Sequence, residues 1–291
     1  MNTGLERLRD WVGRTEEQCE PITAVPMAAL AAALDREDAA PRAGTELPPL
    51  WHWLYFTPRA LARDIDADGH AKRGGFLPPV PLPRRMWAGS RLEFHRPLCV
   101  GNEVTKHSRI TAITPKSGRS GTLVFVTVRH EYHSAQELAL SEEQDIVYRE
   151  APTKPAATPT PAPAPEIPMA PNGAHYARKI VPDPVLLFRY SALTFNSHRI
   201  HYDRPYATDV EGYAGLVVHG PLIATLLLDL LRREQPQARV ARFTFKAVHP
   251  ILDTHPFSVC GKSDPADAKR HLLWARDHAG HLAMQASAEL A

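Results

Sequence analysis

From Pro221 to Leu231 the chain reads PLIATLLLDLL, with apolar side chains around most of a helical circumference. A helix of that kind has no face to give to water, so the rest of the chain must wrap it. Proline at the first helical position costs no hydrogen bond, and His219 and Gly220 stand immediately before it. The first N–H groups of a helix lack intrahelical acceptors and carry the positive end of its dipole. The Gly220 N–H therefore suits an oxyanion donor. The competing reading is that Gly220 serves only the backbone angles of a turn.

Upstream, residues 195–203 read FNSHRIHYD. His198 and His201 are three apart, so they share a face on a helical turn and would point oppositely on a strand. An H-x-x-H pair can ligate a metal, but no spaced carboxylate or cysteine set accompanies it, and no metal site is expected. A histidine titrating near neutrality suits moving a proton to or from water. As ordinary loop residues, the two would instead be satisfied by local hydrogen bonds.

The run Asn196-Ser197-His198-Arg199-Ile200-His201, followed by Val218-His219-Gly220-Pro221-Leu222, resembles the MaoC-like hydratases, hot dog fold enzymes that add water across enoyl-CoA thioesters. Their motif, Asp-x-Asn-Pro-Leu-His, precedes a His-Gly pair that begins the central helix. The resemblance implies that His201 is the catalytic imidazole and Gly220 the oxyanion-hole glycine. The family's Asp falls on Asn196, and its Asn and Pro fall on His198 and Arg199. Asn cannot take up a proton at neutral pH, so Asn196 would hold the attacking water and His201 would carry its proton. The full string FNSHRIHYD, with Gly212-Tyr213 and the helix start, is most similar to a branch of two fused hot dog domains. That branch includes mesaconyl-C4-CoA hydratases, itaconyl-CoA hydratases and mitochondrial hydroxyacyl-thioester dehydratases. The match covers the C-terminal half; in the N-terminal half the general layout supports it.

What the resemblance implies is reversible hydration of a short, dicarboxylic 2-enoyl-CoA, with coenzyme A part of the substrate and no separate cofactor. Ser197, His198, Arg199, Val218 and His219 become substrate-facing candidates. Arg199 is suited to pairing a free carboxylate on the acyl group, and Asp203 to fixing the His201 tautomer. Arg239, Arg242 and Lys246 alternate near a strand expected beside the pocket and are candidates for coenzyme A phosphates, with solvated surface as the competing role. Three other readings stay open: a hydroxyacyl-thioester dehydratase acting on carrier-protein or CoA esters, a hot dog protein that binds acyl-CoA without turnover, and a hot dog thioesterase.

At Ala151 the composition changes abruptly. Residues 151–172, APTKPAATPTPAPAPEIPMAPN, contain almost no core-forming side chains and read as an extended linker. Its polyproline reach is on the order of 60 Å. It separates an N-terminal domain, residues 1–150, from a catalytic one, residues 173–291. In the first, Leu5, Leu8 and Val12 follow a Thr3 cap at helical spacing. Pro21 to Leu34 places Met27, Leu30 and Leu34 on one face and reads as the counterpart of the central helix. An irregular, aromatic and proline-rich stretch from Leu47 to Trp87 suits a pocket cover or a domain interface. Strands are expected at Val104–Ile113, Thr122–His133 and Asp145–Arg149, with a turn around Pro115 to Gly121.

Beyond the linker come a strand at Leu186–Leu193, the His-rich loop, the apolar helix, and strands at Arg239–Val248, Phe257–Gly261, His271–Arg276 and His281–Leu290. Asp277-His278-Ala279-Gly280 fits a hairpin turn. Helix followed by antiparallel meander, twice over, is an α+β order, here a double hot dog with a sheet around a central helix in each domain. Arg91-Leu92-Glu93-Phe94 and Arg242-Phe243-Thr244-Phe245 echo each other at similar places in the two halves. The first half has no equivalent of FNSHRIHYD, so one site per chain is expected, with the first domain shaping the substrate tunnel.

With 291 residues and 44% hydrophobic composition, two domains can each bury a core. A net charge of +2 is too small to argue for nucleic acid or a membrane surface as partner. Cys19, Cys99 and Cys260 are odd in number and far apart, which suggests reduced thiols in a cytoplasmic protein. No basic segment precedes an apolar run at the N-terminus, and the apolar runs are too short to span a bilayer. The expected partner is an acyl-CoA thioester, and a homo-oligomer is left open.

Overall fold

The computed structural model describes residues 7–118, 121–150 and 167–291. The Thr3 cap and most of the linker, residues 151–166, lie outside the described residues. Leu8, expected on a helix, is buried within a 3-10 turn, Arg7–Trp11.

Among the described residues, five strands precede the linker: β1 (Thr15–Pro21), β2 (Arg84–Phe94), β3 (Glu103–Gly118), β4 (Gly121–Ser134) and β5 (Glu137–Arg149). Five follow it: β6 (Tyr176–Ile180), β7 (Val240–Ala247), β8 (Phe257–Asp264), β9 (Asp267–Arg276) and β10 (Leu282–Leu290). They form one ten-stranded sheet in the order β1-β3-β4-β5-β2-β7-β10-β9-β8-β6. The two sets meet at β2 and β7, which pair antiparallel with Leu92 opposite Phe243. These are the two strands that carry the sequence echo. Leu92 and Phe243 hold the same place in it, so a local pseudo-twofold passes between them, and both are buried.

The described residues hold three α-helices, α1 (Ala24–Ala33), α2 (Pro184–Leu193) and α3 (Gly220–Glu234); α3 packs on the sheet, and α1 and α2 pack on each other. In α3 every side chain from Leu222 to Leu231 is buried, as the all-round apolar pattern requires. The charged exception is Asp229, and three guanidinium groups satisfy it. Its carboxylate accepts from Arg36 Nη1 at 2.7 Å, Arg178 Nη1 at 3.1 Å and Arg233 Nε at 2.7 Å. A buried charge is tolerated when paired in this way, and the Arg36 contact fastens the first half to the helix of the second. Helix α1 buries Met27, Leu30 and Ala33 and is shorter, 10 residues against 15 in α3.

The structure corrects two elements. Leu186 to Leu193 is helical, not extended: Asp183 caps α2 by accepting from the Leu186 N–H at 2.8 Å, and Pro184 takes the first turn. Leu187, Tyr190 and Ser191 then fall on its buried face. Thr15–Pro21, unassigned from sequence, is the edge strand β1, whose glutamate-rich sequence hides a strictly alternating burial pattern. Strands β3 and β4 also run on past the expected turn, with Pro115 paired to Val124. Pro115 is tolerated because β1 covers β3 only from Glu103 to Arg109, leaving the proline on an open edge. Among the described residues no helix is long and apolar enough to cross a membrane.

Candidate active site

After α2 the chain turns sharply. Phe195 takes a left-handed conformation at φ 49°, and the Asn196 Oδ1 accepts from the His198 N–H at 3.0 Å. The chain then enters a 3-10 turn, Arg199–His201. Two bonds moor this turn to the strand-like segment that leads into α3: the Val217 N–H donates to the Ile200 carbonyl at 2.9 Å, and His201 Nδ1 lies 2.7 Å from the Val217 carbonyl. A carbonyl can only accept, so Nδ1 carries the proton and Nε2 is left as a bare acceptor.

His201 lines a cavity of about 1190 Å³ that runs from α3 into the first half of the chain. Asn196, Ser197, His198, Val218 and Gly220 line it with His201. Gly220 opens α3 with no side-chain cap, and a Cβ placed there would meet nothing within 4 Å. Its N–H thus stands at the positive end of a buried helix beside open space. With the Asn196 oxygen already used as a backbone cap, the amide nitrogen of that side chain remains as a donor.

The electrostatics are those of desolvated, neutral imidazoles. Burial pushes His201 down to about 4, against the opposing bond to Val217. Burial and the neighbouring His70 and His201 push His198 down to about 2. His201 stacks on His219 with ring centroids 3.7 Å apart and planes at 19°, while His198 meets His201 edge to face at 5.4 Å. His219 lies wholly inside the protein, its Nε2 2.8 Å from Ser191 Oγ, and is held well below the usual imidazole range by burial first and then by His201 and His198.

The irregular stretch from Leu47 to Trp87, expected to cover a pocket or a domain interface, does line this cavity, but sequence reading did not single out its residues. A loop, residues 66–75, docks on the His-rich segment: the Arg199 N–H donates to the Asp68 carbonyl at 2.9 Å, and Ser197 Oγ donates to the Gly69 carbonyl. Gly69, at φ 91°, is pressed so closely that a Cβ would lie 1.8 Å from the Ser197 carbonyl oxygen. The loop places His70 against His198, ring centroids 4.0 Å apart, and Asp68 holds His70 Nδ1 at 2.9 Å. Burial would raise the Asp68 pKa, but the His70 hydrogen bond and charge outweigh it, leaving the carboxylate below its usual range. Asp68, His70 and His198 present ligand-type atoms within 4.8 Å of one another, yet the positive charges of Arg85 and Arg73 bear on His70 and oppose a cation there. The spacing Asp-x-His at 68–70 was the available signal.

Several candidates fall elsewhere. Arg199 donates to Asp203 at 2.9 Å and lies over the Tyr206 ring at 4.1 Å, so its charge is spent within its own loop and not on the cavity. Asp203 takes that bond and one from the Tyr206 N–H, and the His201 tautomer is set by Val217 instead. His219 supports His201 from behind and does not line the cavity. Arg242 and Lys246 are exposed, because strand alternation turns Phe243 and Phe245 inward and these two outward. Arg242 pairs with Glu289 there, and Arg239 pairs with Glu46 at 3.2 Å.

Residues 50–253 match the family model described as hydroxyacyl-thioester dehydratase type 2. The chain is 48% identical over 280 residues to the mesaconyl-C(4)-CoA hydratase of Chloroflexus aurantiacus, with 96% of each covered. It is 30% identical over 242 residues to a mitochondrial hydroxyacyl-thioester dehydratase type 2 of Schizosaccharomyces pombe, covering 74% of this chain and 78% of the relative. Among solved structures, a conserved Mycobacterium tuberculosis protein described as having a double hotdog fold superposes with TM-score 0.58 at 15% identity, 96% of each chain covered.

Proposed function

The chain belongs to the hydroxyacyl-thioester dehydratase type 2 family, and from there we propose that it is a hydro-lyase that reversibly hydrates a short dicarboxylic 2-enoyl-CoA of the mesaconyl-C4 or itaconyl type. The observation that carries this reading is the free Nε2 of His201 on the wall of a cavity where Gly220 begins a buried helix. Identity of 48% to a mesaconyl-C(4)-CoA hydratase supports the choice of acyl group.

The substrate carbonyl accepts a hydrogen bond from the Gly220 N–H, which draws electrons toward oxygen and leaves the β-carbon electrophilic. A water, held by the Asn196 amide nitrogen and by His201 Nε2, bonds its oxygen to the β-carbon while Nε2 takes one of its protons. The π pair of the double bond moves through the α-carbon onto the thioester oxygen as an enolate. When the enolate collapses, the α-carbon takes the proton back from Nε2, and both imidazole and amide return to their starting state.

Run backwards, the same steps dehydrate a hydroxyacyl thioester, the activity named in the fission yeast relative. That direction is the second reading, and equal rates on coenzyme A and carrier-protein esters would favour it. Replacement of His201 by Ala tests the mechanism. Loss of enoyl absorbance should slow by roughly 100- to 10,000-fold, with no release of free thiol in the wild type. Unchanged hydration in that variant removes His201 from the reaction.

A further inference from the structure

Two cations of the cavity, Arg85 and Arg149, have no assigned work. Arg85 stands on β2 and lines the cavity. Its cross-strand neighbour is Tyr148 on β5, so the two side chains leave the sheet from the same face. Tyr148 is fully buried, and the charges of Arg85 and Arg73 both bear on its hydroxyl. Over the Tyr148 ring, at 5.6 Å, lies the guanidinium of Arg73, from the loop that carries His70. Arg85 therefore sits beside the loop that presses His70 on His198, and its charge bears on both rings.

Most of the other cations at the cavity wall are occupied. Arg59 pairs with Glu20, Lys72 donates to the Arg63 carbonyl at 2.9 Å, and Arg73 to the Val80 carbonyl at 2.7 Å. Lys106 faces the charges of Glu142 and Glu16. Arg149, next to Tyr148 on the same strand, also lines the cavity, and its buried Nε has no partner among the described residues, but it is the Arg85 charge that bears on both the His70 and His198 rings. Arg84 pairs with Glu211 at 2.9 Å, whereas among the described residues Arg85 has no carboxylate at ion-pair distance. A guanidinium on a cavity wall without a counter-charge is a site for an anion, and its planar fork matches a carboxylate bidentately.

We infer that Arg85 is the receptor for a carboxylate borne on the β-carbon of the acyl group, so that the substrate is a monothioester of a butenedioic-type acid. This rests on the hydration reading, which puts the β-carbon beside His201. A carboxylate on that carbon is one bond from the atom that water attacks, and so lies near the His198 and His70 rings. Clamping it fixes the plane of the double bond against the base.

The test uses two saturated esters that differ at that position, succinyl-CoA, with a carboxylate on the β-carbon, and butyryl-CoA, with a methyl group. Calorimetric titration of the full-length protein should show succinyl-CoA binding tighter by roughly 10- to 100-fold, the range of a charge-assisted contact. In Arg85→Met the ratio should collapse toward one, and Arg85→Lys should recover part of it. Equal affinities in the wild type, a ratio untouched in Arg85→Met, or an equal weakening of both esters would each overturn the assignment. The readout is independent of turnover. Hydration that survives loss of the His201 imidazole, with the ratio still dependent on Arg85, would end the mechanism and leave the receptor standing.

Discussion

In the proposed reaction His201 takes the proton at Nε2, because the Val217 carbonyl has claimed its other nitrogen. The same economy governs Asn196, whose oxygen caps the His198 N–H and whose nitrogen remains for water. Restoring the family's carboxylate with Asn196→Asp keeps that cap and adds a negative charge beside His198 and His201. An adjacent anion favours the protonated imidazole, so the acid limb of the kcat/KM profile, set in the wild type by a His201 held at about 4, should move up by about one pH unit. A limb that stays in place would remove position 196 from the proton chemistry. At this scale the gathering of His201, Asn196 and Gly220 on one cavity wall was readable, because motif and helix start are local in sequence. Arg85 and His70 were not, since their relation to His198 depends on a chain separation that no spacing rule spans. Arg199 is held by a local pair instead, since its partner Asp203 stands four residues on.

Elements were legible where side-chain periodicity was strong. The all-round apolar pattern of α3 and the β-branched runs of β3 and β4 gave the right structures, whereas Leu186–Leu193 reads as a strand until the Asp183-Pro184 start is weighed. The loop of residues 66–75 has no periodicity at all, yet it closes the site. Its docking depends on Gly69, where a side chain would have to occupy the space of the Ser197 carbonyl and would also be strained by the left-handed backbone. Gly69→Ala should therefore lift the loop from the His-rich segment. We expect kcat/KM to fall by roughly 10-fold or more, consistent with the cost of small misplacements near a reacting centre, while the protein still melts cooperatively. Full activity in Gly69→Ala would mean that the loop does not bear on the site.

Across the molecule, several imidazoles are buried without charge, and folding must keep them so. His70, His198, His201 and His219 all have folded-state pKa values below the ordinary 6.5. In the unfolded chain they bind protons at higher pH than in the folded one, so their contribution is intact above about 6.5 and is lost as pH falls from there toward about 4. His201 alone, shifted to about 4, corresponds to roughly 3 kcal/mol over that window. Thermal melts should show Tm declining between pH 6.5 and 4.5, and a flat profile would contradict the buried, neutral row of rings. The seam where Leu92 faces Phe243 joins the two halves in one sheet, and across it the loop of the first half reaches the base of the second. Enzymes assembled from separate subunits can lose such a partner when they are diluted. Here the base and the loop that closes over it share one polypeptide, so their meeting is intramolecular and their proportion stays one to one at any protein concentration.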